Sequence, residues 1–557
     1  MRTLSSVLIG SLKTNMKANI LGKKMNNKWV WSSRGDLLSN ITYCRKVLQS
    51  QDIKKGDRIA YKGDNSMEWI AWNLASNSLG AVWVPMYTNQ SNEYCNHVLN
   101  DSGATLCIME NMDDSYTDTK ILSNTIGDTS MGIEKMDFIE NNIATLIYTS
   151  GTTGSPKGVM LSNENIISNI ETTRSRFKDM YTTTSLNILP WAHIYSQTCE
   201  LYYNLKYNNK MALASSRENF ISECREIQPE VLYVVPRVLE LIKSKIDILD
   251  IPYVRYVIPF ALQQIFGQRL QVIFTGGAKL QDKTRQFFVN NDIVICEGYG
   301  TTELSPMVCV NHMNDPRNEE SIGKLLDNII VEIVEGEIQV SGPNVMSGYW
   351  NNEDATKGVL VEREGKTWYK TGDAGRIEDG YLFYEGRMSD NYKLSNGKFV
   401  NVDSVENVVK RFVKGMVVVF GEDKDYNELI TFPHFISTKD INTEIEEKER
   451  IIFKDYKQSK TFKYLREGDE IYVLCEQDSK GCDLNLNRDS SWWWCLPFEL
   501  INLKKILGFT VDEKIVNFLM KYDKLLYIYT ETNNMYETPC VGYSIYSEYE
   551  LSYLIEL

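Results

Sequence analysis

Over its first 385 or so residues the chain alternates helical patterns with short apolar runs, and no other feature narrows the choice of fold so far. Apolar residues recur at helical spacing from Leu37 to Leu48, and Trp69 to Leu79 reads as a second helix. Short apolar runs predict strands at 58–61, 81–85, 106–109, 143–148, 185–189, 231–235, 271–274 and 294–296. Helices alternating with such strands imply parallel sheets with crossover connections. From residue 338 onward, turns and antiparallel pairs take over. The expected fold class is α/β: a large unit of layered, parallel-rich sheets plus a β-rich subdomain, followed by a smaller α+β domain. At 557 residues the chain exceeds what one hydrophobic core usually serves.

The predicted strand at 143–148 runs into Tyr148-Thr149-Ser150-Gly151-Thr152-Thr153-Gly154-Ser155-Pro156-Lys157-Gly158. Glycine lets a backbone turn back and approach a ligand closely. Successive N–H groups then cradle phosphate oxygens, with Ser and Thr hydroxyls as extra donors. The spacing, Gly-x-x-Gly-x-x-Lys-Gly, is not that of a Walker loop.

Five further blocks follow in order: Leu189-Pro190-Trp191-Ala192-His193-Ile194-Tyr195, Phe274-Thr275-Gly276-Gly277-Ala278-Lys279-Leu280, Glu297-Gly298-Tyr299-Gly300-Thr301-Thr302-Glu303, Gly336 through Gly348-Tyr349-Trp350, and Trp368-Tyr369-Lys370-Thr371-Gly372-Asp373 with Gly386-Arg387. Together with the glycine-rich loop they resemble the AMP-forming adenylate ligases over roughly residues 25 to 420. Val235-Pro236-Arg237-Val238 and Lys393 to Lys398 are most similar to the long-chain fatty acyl-CoA synthetases. The resemblance implies an adenylation domain at 1–387, a small hinged domain at 388–466 that is shorter than usual, and an unassigned extension at 467–557. It implies ATP, Mg²⁺, CoA and a medium- or long-chain fatty acid as the molecules handled, with no protein partner predicted.

Joining a carboxylate to AMP brings one anion onto the phosphorus of another, so positioning and electrostatic stabilisation must carry the catalysis. The resemblance gives Thr149, Ser150, Gly151, Thr152, Thr153, Gly154 and Lys157 to the phosphates, with Lys157 contacting the departing pyrophosphate. Magnesium needs a hard oxygen ligand, for which Glu303 stands, helped by Thr152. Tyr299 offers a flat face to adenine, and Gly276, Gly277 and Ala278 allow close approach to the ring edge, beside Gly300, Thr301 and Thr302. Asp373, acceptor-only when ionised, suits the ribose hydroxyls, and Arg387 adds a contact at the hinge. The resemblance also implies that His193 stands beside the acyl carboxylate. Plainer readings compete: a solvated Glu303 or Lys157, a core Tyr299 or His193, a surface ion pair for Arg387. Trp191 reads equally as a tunnel gate or as core.

The mobile-domain lysine expected from the resemblance has its nearest match in Thr461-Phe462-Lys463-Tyr464-Leu465-Arg466, which comes early and lacks the usual acidic lead-in. Met388-Ser389-Asp390 lacks the usual charged hinge residue. A catalytically degenerate protein that binds ATP or acyl-AMP therefore stays open, as does an acceptor other than CoA.

A net charge of −14 argues against nucleic acid. Eleven scattered cysteines suit a reducing compartment, and with four histidines a structural zinc site is not expected. Trp69 to Tyr87, the most apolar stretch, is interrupted by Asn73, Asn77 and Gly80 and reads as a buried helix passing into a strand. The basic stretch before Asp36 reads as an ordinary terminus in preference to a transit-like arm. A cytosolic location is expected, with peripheral membrane contact left open.

Overall fold

The computed structural model describes residues 2–388 except 111–118, 131, 150–155, 179–182, 247–257 and 313–320. Beyond them it describes 392–393, 399–400, 402, 415–420, 428–433, 495–496, 524–530 and 541–547. Two compact units are present: one comprises residues 1–150 and 155–384, the other 151–154 and 385–557.

The first unit is an α/β structure built on two sheets. In the seven-stranded sheet Arg58–Lys62, Val82–Met86, Leu106–Met109, Lys120–Ser123 and Ile143–Thr149 run parallel, and Lys157–Ser162 and Gly348–Tyr349 add antiparallel partners. The fourteen-stranded sheet has a parallel centre of Asn19–Met25, Lys210–Leu213, Thr184–Asn187, Val231–Val234, Val272–Thr275 and Ile295–Gly300. Past Ile295–Gly300 the pairing turns antiparallel, first with Met307–Val310 and then through the strands up to Tyr381–Arg387. The predicted strands are found, 106–109 with the expected bounds and the others shifted by one to four residues at an end. Continuous apolar runs such as Val82–Met86 are buried along their whole length, as strands covered on both faces must be.

The helices begin where the sequence supplies a cap. Ser33 with Asp36 closes a capping box on Arg34–Ser50, Ser66 caps Met67–Ser78, and Ser162 with Asn165 caps Asn163–Arg176. Met67–Ser78 buries almost every residue, because it lies inside the unit and not on its surface. Its Trp69 packs edge-on against Trp83 at 5.3 Å and Trp191 at 5.6 Å. Such pairs contribute ~0.5–1.5 kcal/mol beyond area burial.

The basic N-terminal stretch is neither a detached arm nor an exposed tail. Leu4–Leu12 is a helix capped by Thr3, with Leu4, Leu8, Ile9 and Leu12 in the main core. Lys23 and Lys24 lie on Asn19–Met25, a strand that the composition of the stretch obscured. A second departure is Tyr195–Tyr202, a π-helix whose eight residues are all buried although half of them are polar. No helix among the described residues is long and apolar enough to cross a membrane.

In the second unit, Gly415–Phe420 pairs antiparallel with Glu428–Pro433, and Cys495–Leu496, Lys524–Thr530 and Val541–Ser547 form a three-stranded antiparallel sheet. Lys463, the hinge position Ser389 and the charged run 444–460 lie outside the described residues.

Candidate active site

Val272–Thr275 and Ile295–Gly300 are neighbouring parallel strands, with Phe274 beside Cys296 and Thr275 beside Glu297. The loops leaving them emerge together at the carboxyl end of the parallel strands, where α/β proteins form ligand crevices. Gly276, Gly277 and Ala278 make the first loop. A Cβ on Gly276 would lie 3.3 Å from the Gly298 carbonyl oxygen, and Gly277 has φ +84°, a conformation that favours glycine. Ala278 is exposed. Glu297, 2% exposed, holds this loop from behind. It accepts the Leu280 N–H at 2.9 Å and pairs with Arg285 on the helix Asp282–Val289. Burial pushes its carboxyl up against the pull of Arg285.

Tyr299 and Gly300 end the second strand, and Thr301, Thr302 and Glu303 follow in its loop. The Tyr299 hydroxyl donates to Oδ2 of Asp373 at 2.6 Å, although the two residues are 74 apart in sequence. Asp373 is buried in Lys366–Glu378, and its N–H donates to Oγ1 of Thr371 at 3.0 Å. Burial, and then the Asp373 carboxylate, raise the Tyr299 phenol well above its usual range, so it stays a donor at neutral pH. The Thr275 and Thr301 hydroxyl oxygens, at the ends of the two strands, are buried and have no hydrogen-bond partner among the described residues. Buried polar atoms are rarely left so, and a polar ligand would satisfy them. Arg387 ends Tyr381–Arg387 as an exposed residue, beyond the boundary of the first unit.

Glu303 sits in the short 3₁₀ turn Thr302–Leu304, where its carbonyl accepts the Met346 N–H at 2.8 Å. Its Oε1 accepts the Tyr349 hydroxyl at 2.8 Å. The Lys157 ammonium lies over the same Tyr349 ring, 5.5 Å from its centroid. One aromatic side chain thus holds a carboxylate at its hydroxyl and a cation on its face. Burial first, then Glu303, raise the Tyr349 phenol.

Lys157 begins Lys157–Ser162, which pairs antiparallel with Ile143–Thr149 in a register that sets Thr149 opposite Lys157. The strands on either side of the glycine-rich segment are therefore antiparallel neighbours. Ser150, Gly151, Thr152, Thr153 and Gly154 lie outside the described residues, while Thr149 is half-buried at the end of its strand. Around that end the Tyr148 hydroxyl donates to Asp101 at 2.6 Å, and the Trp350 indole donates to the Asp101 carbonyl at 3.0 Å.

His193 lies just before the π-helix and is half-buried. Burial lowers its pKa to about 4, so the ring is neutral at pH 7. Its Nδ1 accepts the Tyr195 N–H at 3.2 Å, which leaves the ring proton on Nε2. Trp191 is fully buried against Trp69 and is core in this structure.

The sequence model of the AMP-binding enzymes matches residues 14–350. This chain belongs to that family. A long-chain-fatty-acid–CoA ligase of Mycobacterium tuberculosis is 26% identical over 481 residues, covering 73% of this chain and 78% of that one. A human long-chain-fatty-acid–CoA ligase is 25% identical over 478 residues, covering 70% and 64%. The o-succinylbenzoate CoA synthetase of Bacillus subtilis, solved with ATP and magnesium, superposes with a TM-score of 0.66 at 21% identity over 80% of this chain and 94% of its own. ATP-bound MatB from Rhodopseudomonas palustris gives 0.67 at 19% identity over 81% and 94%. At these identities the two structures establish a shared fold.

Three residues of this AMP-binding enzyme escaped the reading of its sequence. Tyr349 stood inside a motif taken as scaffold. Glu297 stood beside the diagnostic Tyr-Gly-Thr-Thr-Glu run without a role. His97 carried no signal: on Asn92–Ser102 it looks like any histidine of an amphipathic helix, yet its Nε2 lies 3.1 Å from the Pro156 carbonyl, to which it must donate. His97→Ala is expected to raise the KM for ATP about tenfold, the loss of one hydrogen bond of ~1–1.5 kcal/mol. The KM for the acid should change less than twofold, and steady-state kinetics on both substrates check this.

Proposed function

We infer that this AMP-binding enzyme is an acid–CoA ligase acting on medium- or long-chain fatty acids. The acid's carboxylate attacks the α-phosphorus of ATP, the bond to the β-phosphate breaks, and pyrophosphate leaves. The CoA sulfur then attacks the carbonyl carbon of the acyl-AMP and AMP departs. The observation that carries this reading is the single ring of Tyr349, which joins Lys157 of the glycine-rich motif to Glu303 of the neighbouring loop. A cation for a leaving polyphosphate and a hard anionic oxygen for a metal are held one aromatic ring apart.

In this reading Thr149 to Gly154 cradle the phosphates, and Tyr299 and Asp373 receive the adenosine beside Gly276, Gly277 and Ala278. Thr275 and Thr301 supply hydroxyls, Arg387 adds a ribose or phosphate contact, and Lys463 clamps the α-phosphate. His193 offers its Nε2–H to the acyl carboxylate. Among the described residues no three His, Cys, Asp or Glu side chains gather into a metal cage. That fits magnesium, which is held mainly by phosphates and water with one or two protein oxygens. Glu303, with Thr152, would hold it, and bound there it would neutralise charge on the triphosphate.

The test is fatty-acid-dependent exchange of labelled pyrophosphate into ATP across chain lengths, with and without CoA. Exchange that yields thioester when CoA is added is the expected result. Exchange without thioester would indicate another acceptor. Absence of exchange in folded, ATP-binding protein would favour a degenerate binding protein, which the irregular Lys463 motif already motivates.

A further inference from the structure

Glu200 is a fully buried carboxyl group that the reaction as described does not use. It lies on the π-helix Tyr195–Tyr202, a kind of helix frequent at functional sites. Asn187 Nδ2 donates to its Oε2 at 2.6 Å, Ser196 Oγ lies 3.1 Å from the same oxygen, and Ser185 Oγ lies 3.5 Å from Oε1. All three partners are neutral. Among the described residues the titratable groups nearby are Tyr195 and Cys199 on its own helix and Tyr233 on Val231–Val234. The cation Arg174, on the adjacent Asn163–Arg176, binds the Phe177 carbonyl and the Tyr203 hydroxyl and stacks on Tyr207.

The same partners lead to the turn that carries His193. Ser196 Oγ is also 3.1 Å from the Leu189 carbonyl, which can only accept. Asn187 Nδ2 donates to that carbonyl at 3.0 Å. Asn65 donates to Asn187 Oδ1 and to Leu189 O at 2.7 Å each, and accepts the Trp191 N–H at 2.8 Å. Ser196 has one proton but two acceptors at 3.1 Å, the Leu189 carbonyl and Glu200 Oε2. Both contacts are hydrogen bonds at once only when Glu200 supplies a second proton.

The geometry points to Glu200 as a positioning residue held in its neutral acid form, donating through Ser196 to Leu189 and so fixing the turn that presents His193. This deepens the reading of His193 given under Proposed function and rests on it. Burial with neutral hydrogen bonds alone accords with a carboxyl pKa pushed up to about 8. Ionisation above that pH removes the donor, draws the Ser196 proton to Glu200 and leaves the Leu189 carbonyl to Asn187 and Asn65.

The experiment compares wild type, Glu200→Gln and Glu200→Ala between pH 6 and 10. The amide of Glu200→Gln keeps a donor and cannot ionise. The wild type is expected to lose exchange activity at least fivefold from pH 7.5 to 9.5, with a rising KM for the acid. Glu200→Gln should remove that alkaline fall and restore at least half of the neutral-pH rate that Glu200→Ala loses. The chain has four histidines, so the ¹⁵N resonances of His193 can be assigned with a His193→Asn control. They should shift above pH 8 in wild type and stay fixed in Glu200→Gln. An alkaline shift that survives in Glu200→Gln, or its absence from wild type, overturns the proposal. Because this readout needs no turnover, a failure of the ligase reading would be seen separately, as absence of exchange. If Glu200→Ala does not fold, wild type against Glu200→Gln decides alone.

Discussion

Glu303→Gln is expected to cut acid-dependent pyrophosphate exchange by at least about 100-fold, the usual scale for removing one preorganised electrostatic contact. The substitution is nearly isosteric, and the amide oxygen can still accept the Tyr349 hydroxyl that now meets Oε1 at 2.8 Å. The backbone contact from Met346 to the Glu303 carbonyl is untouched. Stability should therefore change by no more than about 1 kcal/mol, read by chemical denaturation. What is lost is the formal negative charge, the one property a hard cation requires. Tyr349→Phe separates charge from position: it keeps the carboxylate but frees it to rotate, and about a tenfold loss is expected. Exchange at the wild-type rate in Glu303→Gln would remove the carboxylate from the mechanism.

The largest structural effect is expected from Gly300→Ala. A Cβ at this position would lie 1.7 Å from the Pro306 carbonyl oxygen, 2.6 Å from its carbon and 3.1 Å from the Met307 Cα. All three are backbone atoms, so no side chain can swing aside. Either the Thr301–Pro306 segment moves or the strand leaves its register with Met307. A cost of about 3 kcal/mol or more follows from overpacking of this severity. Gly277→Ala is the contrast. That glycine has φ +84° but open space around it, so its cost is backbone strain alone, ~1–2 kcal/mol. Urea midpoints of the two variants test the difference, and equal midpoints would contradict it.

What could be read in advance follows from where the burial signal is simple. Strands covered on both faces, such as Val82–Met86 and Val231–Val234, are continuous apolar runs and announce themselves. The π-helix does not: Ser196, Gln197, Thr198 and Glu200 are as buried as its aromatic residues. Their burial depends on partners elsewhere in the chain, for Glu200 on Asn187 and Ser185, which no local pattern encodes. Asn19–Met25 was hidden by its lysines, whose long stems let charge sit on a partly buried strand. In the site, Tyr299, Glu303, Asp373 and Lys157 stood in motifs and could be named. Which of them touch could not, because the 2.6 Å contact of Tyr299 with Asp373 spans 74 residues.

Ile295–Gly300 has a parallel neighbour on one side and an antiparallel one on the other. It is the seam along which two differently built halves of one sheet are sewn. A chimera joined at this strand would exchange everything from Thr301 to Tyr384, Glu303 and Asp373 included, and leave His193 and its anchoring network in their original host. Glu303 and Asp373 would then come from one relative, and Lys157, His193 and Glu200 from the other, which makes this strand a natural cut for recombining relatives.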